Sequence, residues 1–315
     1  MITIKIYNDS KKGLNFMIEE LRTFIAVVEY KSFTKAAEAI NLSQPSVSLH
    51  IKHLEEYFNT TLIQRSIKQK NIYITESGNL LYERSIQIIK LLEDTKGDLL
   101  DYDNVVKGRL RIGASFTIGE YFLPAFLGGF TKAYPDLELE VTIENTHNIC
   151  EKVKNFQVDL ALVEGTVPSS NFVTTNFYTD KMALAVPYNH YLVNREFSIE
   201  ELQNQTWISR EIGSGTREYL NFFLSTNNIN PKNIIVFGSN YSVKEAVRHN
   251  LGITFISSLV TEPALRNKEI SILKTTQEYT RHFSSILQNG LLPSKGTLVF
   301  IEMLKNYIQN LPISL

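Results

Sequence analysis

The chain lacks the features that would place it outside the cell or in a membrane. It has one cysteine, Cys150, so an internal disulfide framework is excluded. No apolar run approaches the roughly twenty residues that a membrane-spanning helix requires, and polar residues at 7–12 interrupt any secretory leader. We therefore expect a cytoplasmic protein without a membrane partner, in which Cys150 is a buried structural thiol rather than a redox switch.

An excess of charge of one sign is also missing. The 32 lysines and arginines nearly balance the 33 aspartates and glutamates, which gives a formal net charge of −1. A strongly basic surface is therefore no argument for nucleic-acid binding here. The hydrophobic content of 43%, with 15 glycines and 9 prolines, is typical of a soluble globular protein. The length of 315 residues predicts two or more domains.

Motifs for catalysis or metal binding are sparse. The six histidines are scattered, and the pair His147 and Cys150 has no second ligand pair at zinc-like spacing. The segment Gly213-Ser-Gly-Thr216 lacks the Gly-Lys-Thr/Ser ending of a phosphate-binding P-loop. No nucleophile, base and orienting group can be assembled into one site. We therefore predict no enzyme activity, no metal site and no cofactor.

The most informative segment is residues 32–55, which predicts two helices joined by a tight corner at Asn41-Leu42. Ser43 is a suitable N-cap for the second helix, and Pro45 lies in its first turn, where a missing N–H costs nothing. Helical spacing predicts one buried stripe made of Val47, Ile51, Leu54 and Phe58. The opposite face carries Pro45, Ser46, Ser48, Leu49, Lys52 and His53. This small, polar face suits the major groove of DNA, although an ordinary helix of a helical bundle has the same spacing.

The residues that follow favour the DNA-binding interpretation. Residues 59–63 turn the chain, and residues 65–75 predict a two-stranded hairpin with a basic tip. A helix followed by such a hairpin, called a wing, can contact DNA on both sides of the helix. Lys52, Arg65, Lys68 and Lys70 cluster around these two elements. So few phosphate contacts give only a modest and salt-sensitive affinity for DNA. We therefore expect two copies of the protein to bind one duplex.

This part of the chain resembles the LysR-type transcriptional regulators. The resemblance rests on Glu20–Phe24, Ser32–Ala37, Leu42–Ser48, Ile51–Glu55, Arg65 and Ile74–Gly78. It implies a winged helix-turn-helix domain at residues 17–75 that binds double-stranded DNA through bases and adjoining backbone, with Arg65 on phosphate or in the minor groove. The predicted DNA-binding residues are Thr34, Gln44, Pro45, Ser46, Ser48, Leu49, Lys52, Arg65 and Lys68. Leu49 departs from the family's usual polar residue, and it can pack on a thymine methyl but cannot hydrogen-bond a base.

A long amphipathic helix is predicted after Thr75, over residues 76–107. Its apolar side carries Leu80, Leu81, Ile86, Ile88, Ile89, Leu92, Leu99 and Leu100. Packing against a second copy would bury this stripe, and the alternative is a helix lying on its own domain. The resemblance implies that this is the dimer-forming linker helix, and we expect a homodimer and a homotetramer. Residues 1–16 precede the family pattern and are treated as an extension without an assigned function.

From Gly108 onward the pattern alternates strand and helix, which predicts a mostly parallel sheet covered by helices. One continuous helix is expected over 116–134, and a second α/β unit is expected from Phe172 to about Leu265. The resemblance implies an effector-binding domain at 108–315 that is similar to periplasmic binding proteins. We expect lobe I to contain residues 108–165 and 269–315, and lobe II to contain 166–268. The predicted fold class is thus α+β in two parts, with a winged helix-turn-helix, a linker helix and a two-lobed α/β domain.

Three junctions at strand ends carry hydroxyls or amides, where helix amino termini offer free N–H groups. The predicted effector-binding residues are Ser115, Phe116, Thr117, Asn145, Thr146, Ser214, Gly215, Thr216 and Arg217, with Asn240 and Ser242 as weaker candidates. Hydroxyls and a guanidinium suit a carboxylate, sulfate or phosphate, so a small anionic metabolite is the expected ligand. For any single junction, simple helix capping explains the residues equally well.

Three functions are compared: an effector-responsive transcriptional regulator, a solute-binding protein for transport, and a phosphate-binding enzyme. The transport protein would need export, and neither alternative explains the helix and wing. The prediction is therefore a cytoplasmic DNA-binding regulator that binds a two-fold promoter site as an oligomer and responds to a small anion between the lobes. RNA polymerase is a further expected partner.

Overall fold

The computed structural model describes residues 11–65, 72–100, 106–168, 172–194, 196, 198–275, 277–290 and 292–311. The chain divides into two compact units, Met1–Leu100 and Asp101–Leu315. Within the described residues, no helix is long and apolar enough to cross a membrane.

The amino-terminal unit is a helical bundle with a short hairpin. Its elements are α1 (Lys11–Tyr30), α2 (Phe33–Ala39), α3 (Gln44–Tyr57), β1 (Ile63–Arg65), β2 (Ile72–Ile74) and α4 (Glu76–Leu100). The side chains of Ser32 and Ser43 cap α2 and α3 by accepting backbone N–H groups. Asn41 has a φ of 55°, which gives the sharp corner between the two helices. β1 and β2 pair antiparallel, so the predicted hairpin is confirmed, while its tip at 66–71 lies outside the described residues.

The buried stripe of α3 is confirmed in three of its four positions. Val47, Ile51 and Leu54 lie in one apolar cluster with residues of α1 and α2. Phe58 was predicted wrongly, because it is the C-cap of α3 and remains 43% exposed. The fourth inward position is His50 instead, which is buried and shares a hydrogen bond of 2.8 Å between its Nδ1 and Thr23 Oγ1. The buried imidazole of His50 already has a hydrogen-bond partner, so its position is explained by the core without any role in binding a ligand.

Helix α4 lies along α1 of its own unit. Leu81 and Ile89 are buried in the cluster that contains Val47, and Arg22 Nη2 is 2.8 Å from Glu93 Oε1. The alternative of a helix lying on its own domain is therefore correct for one face. A second apolar set stays exposed, namely Leu80, Ile88, Leu91 and Leu92. Helix α4 thus has two apolar faces, of which its own unit covers only one.

The carboxy-terminal unit alternates strands and helices. Its first part contains β3 (Gly108–Ser115), α5 (Phe116–Tyr121), α6 (Leu123–Ala133), β4 (Leu137–Glu144), α7 (Thr146–Lys154), β5 (Leu160–Glu164) and β6 (Phe172–Pro187). The middle part contains a 3-10 turn (Ile199–Leu202), β7 (Thr206–Arg210), α8 (Gly215–Thr226), β8 (Asn233–Phe237), α9 (Asn240–Arg248), β9 (Thr254–Ser257) and α10 (Ser258–Arg266). The last part contains β10 (Ile270–Leu273), β11 (Thr280–Gln288) and α11 (Lys295–Gln309).

The main sheet is mixed rather than mostly parallel. Its strand order is β10-β6-β11-β5-β3-β4, with β9 also paired to β6. β3 is parallel to β4 and β5, whereas every pairing made by β6 or β11 is antiparallel. β7 and β8 form a separate parallel pair. The expectation of a mostly parallel sheet was therefore wrong, because β6 is a single strand of 16 residues whose partners all run antiparallel to it.

Strand β6 connects two lobes. Its first half pairs with β11 beside β5, which we call lobe I, and its second half pairs with β9 and β10, which we call lobe II. β10 was expected in lobe I, but Ile270 packs with Ile208 and Val247 of lobe II. The expected helix over 116–134 is broken at Phe122 into α5 and α6. Pro124 in the first turn of α6 explains the break, since it has no N–H to continue the helical hydrogen bonds.

The two lobes touch at backbone distance beside Gly215. A Cβ on Gly215 would lie 2.2 Å from the carbonyl oxygen of Glu164. Gly215→Ala should therefore destabilise this unit by about 1–3 kcal/mol, because backbone must shift to admit a methyl group. Trp207, the only tryptophan, is buried in lobe II, so its fluorescence reports thermal unfolding of the unit.

The matched control is Gly128→Ala in α6, where nothing lies within 4 Å of the added Cβ. This change should stabilise the helix by about 0.5–1 kcal/mol. A Gly215→Ala protein as stable as Gly128→Ala would contradict the close approach of the lobes.

Candidate functional sites

The first candidate site is the outward face of α3. Gln44, Pro45, Leu49 and Lys52 are exposed, and Ser46 and Ser48 are half-buried. The Ser43 hydroxyl accepts the Ser46 N–H at 3.2 Å. Gln44 Nε2 donates to Ser48 Oγ at 2.9 Å, so the two side chains hold each other on the first turn of the helix.

Charge is sparse on this face. Lys52 is 3.4 Å from Glu56 in an exposed pair one turn apart, which is worth little in water. Leu49 is 48% exposed, an open position for a large apolar side chain. Such a face can contact base edges and thymine methyl groups more readily than it can attract phosphate.

The other predicted DNA contacts differ in their placement. Thr34 is exposed on α2. His53 was assigned to the outward face, but its Nδ1 lies 2.9 Å from Oε1 of the buried Glu20, so it belongs to the packing between α3 and α1. Arg65 ends β1, and its side chain, like the whole of Lys68, lies outside the described residues.

The second candidate site lies between the lobes, where predicted hydroxyls converge. Thr117 of α5 is fully buried, and its Oγ1 is 3.5 Å from Thr216 Oγ1 of α8. Thr117 also donates to Glu164 Oε1 at 3.1 Å and accepts from Asn240 Nδ2 at 3.0 Å. Ser115 donates to the other oxygen of the same carboxylate. Residues from two lobes thus share one buried polar cluster around Thr117.

A buried guanidinium completes this cluster. Arg281 of β11 donates from Nη2 to Thr117 Oγ1 at 3.0 Å and from Nη1 to Thr216 Oγ1 at 3.1 Å. Its Nε donates to Asp180 Oδ2 at 2.7 Å, and Ser257 donates to the other oxygen of Asp180. Burial raises the pKa of Asp180, and the charge of Arg281 opposes this effect. One arginine therefore binds the crossing strand and a hydroxyl from each lobe.

A second buried arginine, Arg210, lies at the rim of the same cluster. It donates to Asn240 Oδ1 at 2.7 Å and to both carboxylate oxygens of Glu211, and its guanidinium carbon lies 4.4 Å above the Phe116 ring. Burial disfavours the charged form of Glu211, but hydrogen bonds from Arg210 and Asn145 lower its pKa overall. Arg210 is thereby fixed by a carboxylate, an amide and an aromatic face.

Several of the predicted effector residues make local contacts. Asn145 caps α7, and Ser214 caps α8. Arg217 donates to the carbonyl oxygen of Arg210 at 2.9 Å. Thr146 donates to the carbonyl oxygen of Glu164 at 2.7 Å. Helix capping, the alternative interpretation, accounts for the side chain of Ser214, whereas Asn145 also donates from Nδ2 to Glu211 Oε1 at 3.2 Å.

Sequence reasoning missed the charged members of the cluster, namely Glu164, Asp180, Arg210 and Arg281. Glu164 ends an apolar strand, but the other three lie in polar segments that look solvent-exposed in sequence. Only the contacts that these side chains make in the fold, with residues far away in sequence, show that they belong to the cluster. Cys150 of α7 lies in an apolar cluster, and burial raises the pKa of its thiol to about 11, which keeps the thiol protonated and unreactive.

Comparison with known families follows the same division of the chain. Residues 18–79 match the model described as "Bacterial regulatory helix-turn-helix protein, lysR family", and residues 103–309 match the model described as "LysR substrate binding domain". The chain belongs to the LysR family of transcriptional regulators. These proteins combine a DNA-binding helix-turn-helix domain with an effector-binding domain, and the resemblance seen in the sequence is thereby confirmed.

Two transcriptional regulators match over nearly the whole chain, and one solved regulatory domain matches about two thirds of it. The HTH-type transcriptional regulator CysL of Bacillus subtilis (strain 168) is 44% identical over 292 residues, which cover 92% of this chain and 97% of CysL. A probable RuBisCO transcriptional regulator of Phaeodactylum tricornutum is 33% identical over 308 residues, 94% of this chain and 100% of the relative. The solved regulatory domain of Synechocystis PCC6803 CcmR, in complex with 2-PG, is 25% identical with a TM-score of 0.61, and covers 65% of this chain and 100% of its own.

Replacement of Arg281 tests the importance of the cluster for stability. Arg281→Met should leave Asp180 buried without its cation, which costs on the order of 3–5 kcal/mol. Arg109→Met is the control, because Arg109 forms an exposed pair with Glu140 that is worth at most about 1 kcal/mol. Thermal unfolding followed by Trp207 fluorescence measures both. Equal shifts for the two variants would contradict a structural role for the Arg281–Asp180 pair.

Proposed function

We propose that this LysR-family regulator binds a two-fold site on double-stranded DNA as a homo-oligomer and responds to a small anion held between the lobes. The convergence of Ser115, Thr117, Thr216 and two arginines in one buried cluster carries the ligand part of this proposal. Binding of the anion changes the oligomer's affinity for DNA.

The α3 face supports the DNA part. It presents Gln44, Pro45, Leu49 and Lys52 outward from a helix whose other side is anchored in the core. Gln44 and Ser48 can hydrogen-bond base edges or adjoining backbone, and Leu49 can pack on a thymine methyl. Thr34 and Ser46 flank these residues, and Arg65 and Lys68 supply phosphate contacts from the wing in this proposal.

The uncovered face of α4 supports self-association. Leu80, Ile88, Leu91 and Leu92 are exposed on a 25-residue helix. A second copy of this helix would remove these side chains from water and place two α3 helices on one duplex. A homotetramer would follow from pairing of two such dimers, and RNA polymerase is the proposed partner for the regulatory output.

The buried cluster supports an anionic ligand. Hydroxyl and guanidinium groups donate hydrogen bonds, and donors are what carboxylate, sulfate and phosphate oxygens need. A ligand changes DNA binding only if it binds one arrangement of the protein more tightly than another. Thr117 and Thr216 belong to different lobes, so a ligand that contacts both would sense lobe position. The proposed ligand contacts are Ser115, Phe116, Thr117, Asn145, Thr146, Ser214, Gly215, Thr216 and Arg217.

Leu49 offers a test of base contact on a duplex selected from random sequences. Leu49→Ala should weaken binding several-fold, because a thymine methyl loses its apolar partner. Replacing each thymine by uracil should lower the DNA affinity of the native protein in the same way. The DNA affinity of Leu49→Ala should be unchanged by this replacement. Gel shifts at fixed salt measure all four affinities.

Two glutamines supply the control for this surface. Gln44→Ala should lower affinity by about tenfold, whereas Gln157→Ala, at an exposed position of the carboxy-terminal unit, should leave it unchanged. A Gln44→Ala protein with native affinity would show that α3 does not contact bases.

Thr216 tests the ligand site separately. Thr216→Leu should abolish the response to small anions but spare DNA binding, because the larger apolar side chain removes a hydroxyl and crowds the polar cluster between the lobes. Thr131→Leu on the exposed side of α6 is the matched control. A thermal-shift screen of metabolic carboxylates, sulfate and phosphate, followed by calorimetry on the best ligand, gives the comparison. Unchanged ligand affinity in Thr216→Leu would place the site elsewhere.

A further inference from the structure

We propose that lobe I has a ligand site of its own, in a cavity between α11 and the paired strands β6 and β11. The ligand is an amphiphilic carboxylate, whose apolar chain packs in the cavity and whose carboxylate lies beside Lys305. The site shares no residue with the polar cluster between the lobes, so it stands independently of the anion proposed for that cluster.

The cavity has the size of a small-molecule site. Its volume is about 320 Å³, and small-molecule sites span about 300–1,000 Å³. One wall is the second half of α11, and the facing wall is the first half of β6 with the end of β11 paired to it. Leu304, which also packs in the core of lobe I, is part of the lining. The cavity therefore reaches from the surface to that core.

Most of the lining is apolar. Leu287 of β11 pairs with Val173 of β6, and both side chains line the cavity. From the other wall, α11 contributes Ile301 and Ile308, which are two helical turns apart. Val173 nevertheless remains 51% exposed, so the gap between helix and strands leaves apolar surface in water. An alkyl chain in this gap would cover apolar surface on both walls.

A β-bulge in β6 brings a polar side chain beside this apolar lining. In the register with β11, Phe283 pairs with Tyr178. The next residue, Ser284, pairs with Asn176, so Phe177 is an extra residue in β6. Consecutive side chains of a regular strand point to opposite faces. Because of the bulge, Asn176 and Phe177 both line the cavity.

The polar part of the lining supplies hydrogen-bond donors. Asn176 Oδ1 accepts the Ser284 hydroxyl at 2.8 Å, which leaves the amide NH₂ to donate to a ligand. Lys305 and Gln309 are exposed, lie one turn apart on α11 and also line the cavity. Among the described residues that form this lining, none is acidic. An ammonium group and two amides without a competing carboxylate suit an anionic head group.

Octanoate is a suitable probe, because it joins a carboxylate to an alkyl chain and stays monomeric at the concentrations used. Calorimetry of the full chain should show saturable binding at one site. Affinity should rise about threefold per methylene group from butanoate to octanoate, as apolar burial requires. Octanamide, which lacks the charge, should bind about fivefold more weakly. Octanoate should shift the methyl NMR resonances of Leu287, Ile301 and Ile308.

Two substitutions separate the parts of the site. Lys305→Met should lower octanoate affinity about fivefold and leave octanamide affinity unchanged, because only the charge is lost. Lys132→Met, at an exposed lysine of α6, is the matched control. Thr175→Phe should fill the cavity and lower both affinities at least about tenfold. Thr174→Phe is its control, because this neighbouring position of β6 is also exposed but does not line the cavity.

Several results would overturn the inference. They are no saturable octanoate binding, equal affinities for octanoate and octanamide, and native octanoate affinity in Thr175→Phe. Thr216→Leu should bind octanoate like the native protein, and a loss there would place octanoate between the lobes instead. A change of oligomeric state in Thr175→Phe but not in Thr174→Phe, measured by sedimentation, would make the cavity an interface between copies. The methyl shifts and the comparison with octanamide use the native protein, so they decide the matter even if a variant does not fold.

Discussion

The position of Arg281 is the constraint on which the rest of the carboxy-terminal unit depends. Its guanidinium is bound to Asp180 on the crossing strand β6, to Thr117 of lobe I and to Thr216 of lobe II. A buried cation needs partners on all its donors, because an unsatisfied charge in this interior is costly. The two lobes are therefore held in one arrangement by hydrogen bonds that converge on a single side chain. A ligand that enters this cluster must rearrange those bonds.

The amino-terminal unit follows a simpler logic. Its core fixes α3 from one side through Val47, Ile51 and Leu54, and the N-cap at Ser43 fixes where the helix begins. The outward face is left small and weakly charged, so it offers few contacts to phosphate. The exposed apolar residues of α4 support the proposed self-association, since water disfavours them on a lone chain.

The sequence was most informative where local patterns determine structure. The cap at Ser43 and the buried positions Val47, Ile51 and Leu54 of α3 follow from local spacing and capping chemistry. The long strand β6 did not, because residues 173–176 are mostly polar and exposed, and pairing with β11 is what orders them. The hydroxyls between the lobes were anticipated by position at strand ends. The pairing of Arg281 with Asp180 spans 101 residues, and nothing local in either segment indicates it.

Reciprocal binding tests the central claim most directly. The affinity of the full chain for its selected duplex is measured without and with saturating anion, and the affinity for the anion is measured on free and DNA-bound protein. Thermodynamic linkage requires the ratio of the two DNA affinities to equal the ratio of the two anion affinities. We expect this common ratio to differ from one. An anion that binds between the lobes with the same affinity whether or not DNA is bound would contradict the account.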